Sequence, residues 1–175
     1  MIRLKAILNE SLVTSTSFLN LLKYFENSIK RGWDKEKKKW FPHGSLEGGT
    51  DTIAYGHKLK TTDDYSQGIT EEEATKLLLM DVFKAISKIK NTLGINFNAL
   101  PKYVKQALIN AMFRGELKST HKTVQYMKQN EWKDAAEEYI NHNEYKRGAP
   151  GIQKRMQWNY DRFRYYANQL EKSKK

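Results

Sequence analysis

Between residues 70 and 91, Ala74, Leu77, Leu78, Val82, Ala85, Ile86 and Ile89 recur at intervals of three and four. That spacing places them on one face of an α-helix. Thr70-Glu-Glu-Glu73 opens the run as a capping box, in which a hydroxyl and a carboxylate each accept a hydrogen bond from the other residue's N–H. A helix of this length reaches about 30 Å, enough to cross a small domain, so the rest of the chain must pack along it. One position on the stripe breaks the pattern. Asp81 lies among the apolar side chains, and burying a lone carboxylate costs several kcal/mol unless it is paired. His57 is the nearest candidate upstream, and a His57–Asp81 pair of structural character is expected.

After Gly94 the chain reads as helical almost to its end. Pro101 suits a first turn, and Val104, Ala107, Leu108, Ala111 and Met112 form a stripe apolar enough to be central to a core, closed by Gly115. Amphipathic segments follow at about 119–129 and 131–141. Gly148-Ala-Pro-Gly151 interrupts them before a last helix carrying Ile152, Met156, Phe163, Ala167 and Leu170, and the tail 171–175 is expected to fray. Upstream, residues 3–25 are mostly helical, with a break near Val13–Ser17. Beyond that break, Phe18, Leu21, Leu22 and Phe25 define a single apolar face, and Glu26 follows directly. Burial there would raise the pKa of Glu26 by disfavouring its charged form.

The region 27–46 is irregular and basic, with Lys30, Arg31, Lys35, Lys37, Lys38 and Lys39 interleaved with Trp33, Trp40 and Phe41. It reads as a loop or hairpin: either a solvated basic face whose aromatics fold onto the core, or a surface that grips a polyanion or stacks on sugars. Gly48-Gly49 marks a turn, Thr50 to Tyr55 a short strand, and Asp64 to Gly68 another turn. The expected architecture is α+β, mainly α, in a single two-lobed domain over 1–175. It comprises an N-terminal helical segment (1–26), a small strand-and-loop lobe (27–69), a bridging helix (70–91) and a helical lobe (95–175), with a cleft between the lobes.

The 175 residues carry a formal net charge of +11 and a pI near 9.6. The partner is therefore anionic: nucleic acid, a membrane surface or an acidic wall polymer. There is no cysteine, so neither disulfides nor thiolate metal sites are available. No signal peptide or membrane-spanning segment is expected from the charge-interrupted apolar runs.

The stretch Glu47-Gly-Gly-Thr-Asp-Thr-Ile-Ala-Tyr-Gly-His57 concentrates carboxylates, hydroxyls, glycines and a histidine. Acid–base cleavage of a glycosidic bond needs a proton donor with a raised pKa and a second group in a more polar setting. Glu26 fits the first, and Glu47 or Asp51 the second. Thr52 could position a water through its hydroxyl. Ordinary surface acids are the alternative reading of the same residues.

Several motifs in order and spacing resemble the phage-type, T-even-like lysozymes of glycoside hydrolase family 24: Phe25-Glu26, Thr52-Ile-Ala-Tyr-Gly-His57-Lys-Leu59, Gly68-Ile-Thr-x-Glu-Glu-Ala74 with Asp81, Ala107-Leu-Ile-Asn110-Ala-Met-Phe113-x-Gly115, Trp132-Lys-Asp-Ala-Ala136, and Pro150 to Arg155. The similarity spans roughly residues 18–166. It implies a lysozyme-like fold and peptidoglycan as substrate. Glu26 becomes the general acid and Thr52 the water-positioning threonine, supported by His57 and Asp81, and the anomeric carbon is inverted. His57, Asn110 and Phe113 are implied as substrate-binding residues. The family's second carboxylate lies about six positions before the threonine. Here Glu47, five before Thr52, is the closest equivalent and is preferred to Asp51, which adjoins Thr52 and should face the opposite way. The family's basic residue falls at Ile152, leaving Lys154 or Arg155 as substitutes.

The expected protein is thus an N-acetylmuramidase without metal or cofactor, a monomeric, bacteriolytic phage endolysin. It would stay in the host cytoplasm until release to the periplasm and wall, where an anionic envelope surface is a further partner. Alternatives are a tail-associated lysozyme, a lytic transglycosylase, a basic nucleic-acid-binding protein without a recognisable motif, and a non-catalytic wall-binding module.

Overall fold

The computed structural model describes residues 15–44 and 51–173, and among these the first element is helix α1 (Thr16–Asn27). The segment expected to be helical before Val13 and the Gly48-Gly49 turn lie outside the described residues. The chain divides into two compact units, one over Thr14–Phe83 and one that includes Lys84–Lys175. The boundary falls within the long helix.

In the first unit, α1 buries Phe18 and Leu22, each contributing about 2 kcal/mol by leaving water. The chain leaves α1 through Lys30 and Gly32, both at positive φ. It then forms a hairpin of β1 (Trp33–Asp34) and β2 (Lys39–Trp40), with Trp33 opposite Trp40. The two indole rings lie 5.1 Å apart, and Trp40 is also 5.1 Å from the Tyr55 ring. Trp40 is 1% exposed, whereas Trp33 and Phe41 are half-buried.

The strand expected over Thr50–Tyr55 is shorter, because Ala54 (φ +52°) and Gly56 (φ +78°) turn the chain. What remains is β3 (Thr52–Ile53) and β4 (His57–Lys58), antiparallel, with Ile53 opposite His57. Bridges His43–Thr52 and Trp40–Ile69 extend the pairing.

Helix α2 (Glu71–Thr92) begins at the capping box. Thr70 N–H donates to Glu73 Oε2 at 2.7 Å, and Glu73 N–H to Thr70 Oγ1 at 3.2 Å. Ala74, Leu78, Val82, Ala85, Ile86 and Ile89 are buried, as the periodicity requires; Leu77 is half-buried.

The second unit holds a 3₁₀ turn (Phe97–Ala99) and helices α3 (Lys102–Phe113), α4 (Lys122–Lys128), α5 (Trp132–Ile140), α6 (Asn143–Arg147) and α7 (Pro150–Lys172). Pro101 precedes α3 as its N-cap rather than lying in its first turn, and Pro150 is the first residue of α7. The last helix packs on α3, α5 and α6. Phe163, on α7, meets Trp132 and Tyr139 with ring centroids 6.0 and 5.5 Å apart. The short helix α6 falls between the segment expected at about 131–141 and the break expected at 148–151, started by His142 Nδ1 accepting from Glu144 N–H at 3.2 Å. The tail stays helical to Lys172. The described residues are mainly helical with small antiparallel hairpins, as expected.

Candidate active site

Glu26 occupies the last turn of α1, and its neighbour Asn27 decides where that turn ends. The Asn27 amide donates to Ala54 O at 2.7 Å and Arg31 O at 2.9 Å, while its Oδ1 accepts from Arg31 N–H at 2.8 Å. These bonds satisfy backbone groups of the loop after the helix and of the β3–β4 turn, and tie the helix end to both. They also hold Ala54 in a left-handed conformation that is unfavourable for a residue with a Cβ. Sequence reasoning missed Asn27; its signal is a residue with both donor and acceptor directly after an apolar stripe.

The same tie brings Glu26 to Gly56. A Cβ built on Gly56 would lie 3.2 Å from Glu26 Oε2, so a side chain there would press on the carboxylate. Glu26 Oε1 is buried.

Thr52 is held on both sides. Its N–H and C=O exchange hydrogen bonds of 2.9 and 2.8 Å with His43, and on the other side it pairs with Lys58. Thr52 is buried whereas Asp51 is exposed, so these neighbouring side chains leave the extended chain on opposite faces. Glu47, the expected second carboxylate, lies outside the described residues.

His57 Nδ1 lies 2.7 Å from Asp81 Oδ2, with side chains only 13% and 23% exposed. This is the pair inferred from the polar interruption of the α2 stripe, and it joins β4 to α2. A second link was not foreseen. Glu71, in the first turn of α2, accepts from Lys23 Nζ at 2.7 Å, Tyr55 OH at 2.6 Å and Trp40 Nε1 at 2.8 Å. Burial pushes the Glu71 carboxyl up, but the Lys23, Tyr55 and Trp40 donors outweigh it and hold the group below its usual range. Burial, reinforced by the Glu71 charge, raises the Tyr55 phenol.

Glu26, Thr52, His57 and Asp81 therefore all belong to the first unit. Asn110 and Phe113 belong to the second. Asn110 is 0% exposed, and both ends of its carboxamide are occupied: Nδ2 donates to Asn159 Oδ1 at 2.9 Å, and Oδ1 accepts from Arg155 Nε at 2.8 Å. Arg155 also donates to Asn110 O at 3.1 Å, so this guanidinium, named above as a substitute for the family's basic residue, is committed to the interior. Phe113 ends α3 half-buried.

The network continues. Asn159 Nδ2 donates to Tyr139 OH at 2.7 Å, and Tyr139 OH donates to Glu116, which also accepts from Arg114 Nε at 2.9 Å. Burial raises both the Glu116 carboxyl and the Tyr139 phenol. Among the described residues no group of histidines and carboxylates could hold a metal ion.

The sequence model of the phage lysozyme family matches residues 41–159. That span includes Thr52, His57, Asp81, Asn110 and Phe113 and begins after Glu26. Among solved structures, the muramidase domain of SpmX from Asticaccaulis excentricus shares the fold, with a TM-score of 0.60 and 19% identity over 85% of this chain and 95% of that one. No curated protein matches the sequence. Because the family match covers well over half of its length, the chain belongs to the phage lysozyme family and is a peptidoglycan-cleaving glycoside hydrolase.

Proposed function

We propose that this enzyme hydrolyses the β-1,4 bond between N-acetylmuramic acid and N-acetylglucosamine, with Glu26 as the proton donor to the leaving oxygen. The reading is carried by the seat of Glu26: one oxygen is buried, the other lies against Gly56, and the adjoining Asn27 is bonded to Ala54 on the turn beyond Thr52. Thr52 holds the attacking water, and Glu47 accepts its proton on the opposite face of the sugar. Two carboxylates acting across the bond in this way invert the anomeric centre. His57 and Asp81 keep the hairpin in register with α2. In the second unit Phe113 is the proposed sugar-binding residue, and Asn110 fixes Arg155 in the interior.

As a free endolysin the protein would stay in the host cytoplasm as a monomer until release, and then meet peptidoglycan through an anionic envelope. Digestion of purified peptidoglycan followed by mass spectrometry tests the reaction. Hydrolysis gives reducing N-acetylmuramic ends, whereas anhydromuramic ends would replace this reading with transglycosylase chemistry, which dispenses with the water held by Thr52.

A further inference from the structure

The catalytic reading leaves the β1–β2 hairpin without a role. Between Ile29 and Lys39 the chain carries Lys30, Arg31, Lys35, Lys37, Lys38 and Lys39 against Asp34 and Glu36. The hairpin sorts these charges. Asp34 Oδ1 accepts from the N–H groups of Glu36 and Lys37, each at 2.9 Å, which fixes the tip. Lys39 is drawn back to Gln67 O at 3.0 Å. Lys30, Arg31, Lys35, Lys37 and Lys38 stay exposed. Directly before them Ile29 is 73% exposed.

An aliphatic side chain standing in water beside fixed cations matches the chemistry of a charged lipid surface, where phosphates meet the cations and the acyl boundary takes the apolar group. Single-stranded nucleic acid would need aromatic faces on which bases can stack. Of the hairpin's indoles, Trp40 is closed off by Tyr55 and Glu71 and the half-buried Trp33 packs against it, so the hairpin offers no pair of open aromatic faces.

We propose that the segment Ile29–Arg31 and the β1–β2 hairpin form a docking surface for an anionic phospholipid bilayer. Lys30, Arg31, Lys35 and Lys38 meet lipid phosphates, and Ile29 enters the headgroup boundary. Contact is peripheral: among the described residues no helix is long and apolar enough to cross a membrane. The net charge of +11 draws the protein in, and the hairpin decides which face lands.

The test is cosedimentation of the full chain with vesicles of phosphatidylglycerol and phosphatidylcholine, or of phosphatidylcholine alone. Binding should require phosphatidylglycerol and weaken with salt. Replacing Lys30, Arg31, Lys35 and Lys38 together by Gln should weaken it on the order of a hundredfold, at up to about fivefold per cation. Ile29→Ser should cost about tenfold and persist at high salt. Replacing Lys118, Lys122, Lys133 and Lys172 by Gln gives the same net charge and should cost no more than about threefold. Both quadruple variants should digest lipid-free peptidoglycan at the wild-type rate, which separates this surface from the catalytic reading. Equal losses in the two quadruple variants, undiminished binding to phosphatidylcholine alone, or loss of duplex DNA affinity in place of vesicle affinity would each overturn the proposal.

Discussion

His57 Nδ1 and Asp81 Oδ2 stand 2.7 Å apart, fastening the strand after the β3–β4 turn to the middle of the long helix. Both side chains are mostly enclosed, so the hydrogen bond works in a poorly screened setting. Asp81→Asn should lower stability by about 1–3 kcal/mol, the range for a hydrogen bond to a charged group. Urea unfolding is the measurement, and an unchanged midpoint would remove the pair from the set of contacts that hold the first unit together.

Loss of the proposed proton donor should be visible as lost activity in a folded protein. Glu26→Gln should reduce wall clearing by about 10²–10⁴-fold, the usual contribution of a general acid, with an unaltered far-ultraviolet circular dichroism spectrum. In the same assay Glu47→Gln should cost far more than Asp51→Asn. Comparable losses at 47 and 51 would reverse the preference for Glu47.

Gly56 combines a left-handed backbone with close approach to Glu26, and the two can be separated. Gly56→Ala should destabilise by about 1 kcal/mol through its positive φ, and should also lower kcat/KM by pressing on Oε2. Gly115 serves as the control, since it has φ +72° but no atom within 4 Å of an added Cβ. Gly115→Ala should reproduce the stability loss and leave kcat/KM nearly intact. Equal activity in the two variants would show that Gly56 matters only for its backbone.

The Glu71 carboxyl is held below the ordinary glutamate value of 4.5, and the sign of its linkage follows. The unfolded chain binds the proton more readily, so the ionised form stabilises the native state above about pH 4.5, and this contribution disappears as pH falls through the folded value. The stability difference between wild type and Glu71→Gln should therefore be largest near neutrality and vanish in acid. Its size should be modest, because the Glu71 side chain is 47% exposed and solvent screens it. A difference that grows in acid would contradict the Lys23–Glu71–Tyr55–Trp40 arrangement.

Asn110→Ala would remove the acceptor of Arg155 Nε and the donor to Asn159 Oδ1 in the interior of the helical unit. Leaving a buried polar group short of a partner costs about 1–3 kcal/mol, so thermal unfolding should register this substitution before any kinetic assay does. A variant with wild-type stability and a raised KM would instead return Asn110 to direct contact with sugar.

Features set by local spacing could be read from the sequence. Apolar intervals of three and four located α2, α3 and α7, and Thr70 with Glu73 marked a helix start that the backbone adopts. Asp81 was legible because a carboxylate on an apolar stripe must find a partner. The Glu71 hub was not: a glutamate in the first turn of a helix has an ordinary reason to be there. Its donors come from residues 23, 40 and 55, which only the fold brings together. The Arg155–Asn110–Asn159–Tyr139–Glu116 chain was hidden for the same reason, being assembled across three helices and the loop after α3 with no periodicity of its own. The β3 strand was overestimated because a β-branched run predicts extended backbone but says nothing of the left-handed Ala54, which is held by Asn27 from a distant helix.

That bond between Asn27 and Ala54 has a consequence for how such a chain can change. The acid at position 26 is placed by what lies across from it, not by what comes next along the chain. Residues 34–38 at the tip of the β1–β2 hairpin, which take part neither in that bond nor in the Glu71 hub, are consequently exempt from the geometric demands of the reaction. They can lengthen, shorten or exchange their surface chemistry while the acid keeps its address. The protein thus has a socket beside the proposed proton donor, into which new targeting can be fitted without rebuilding the enzyme.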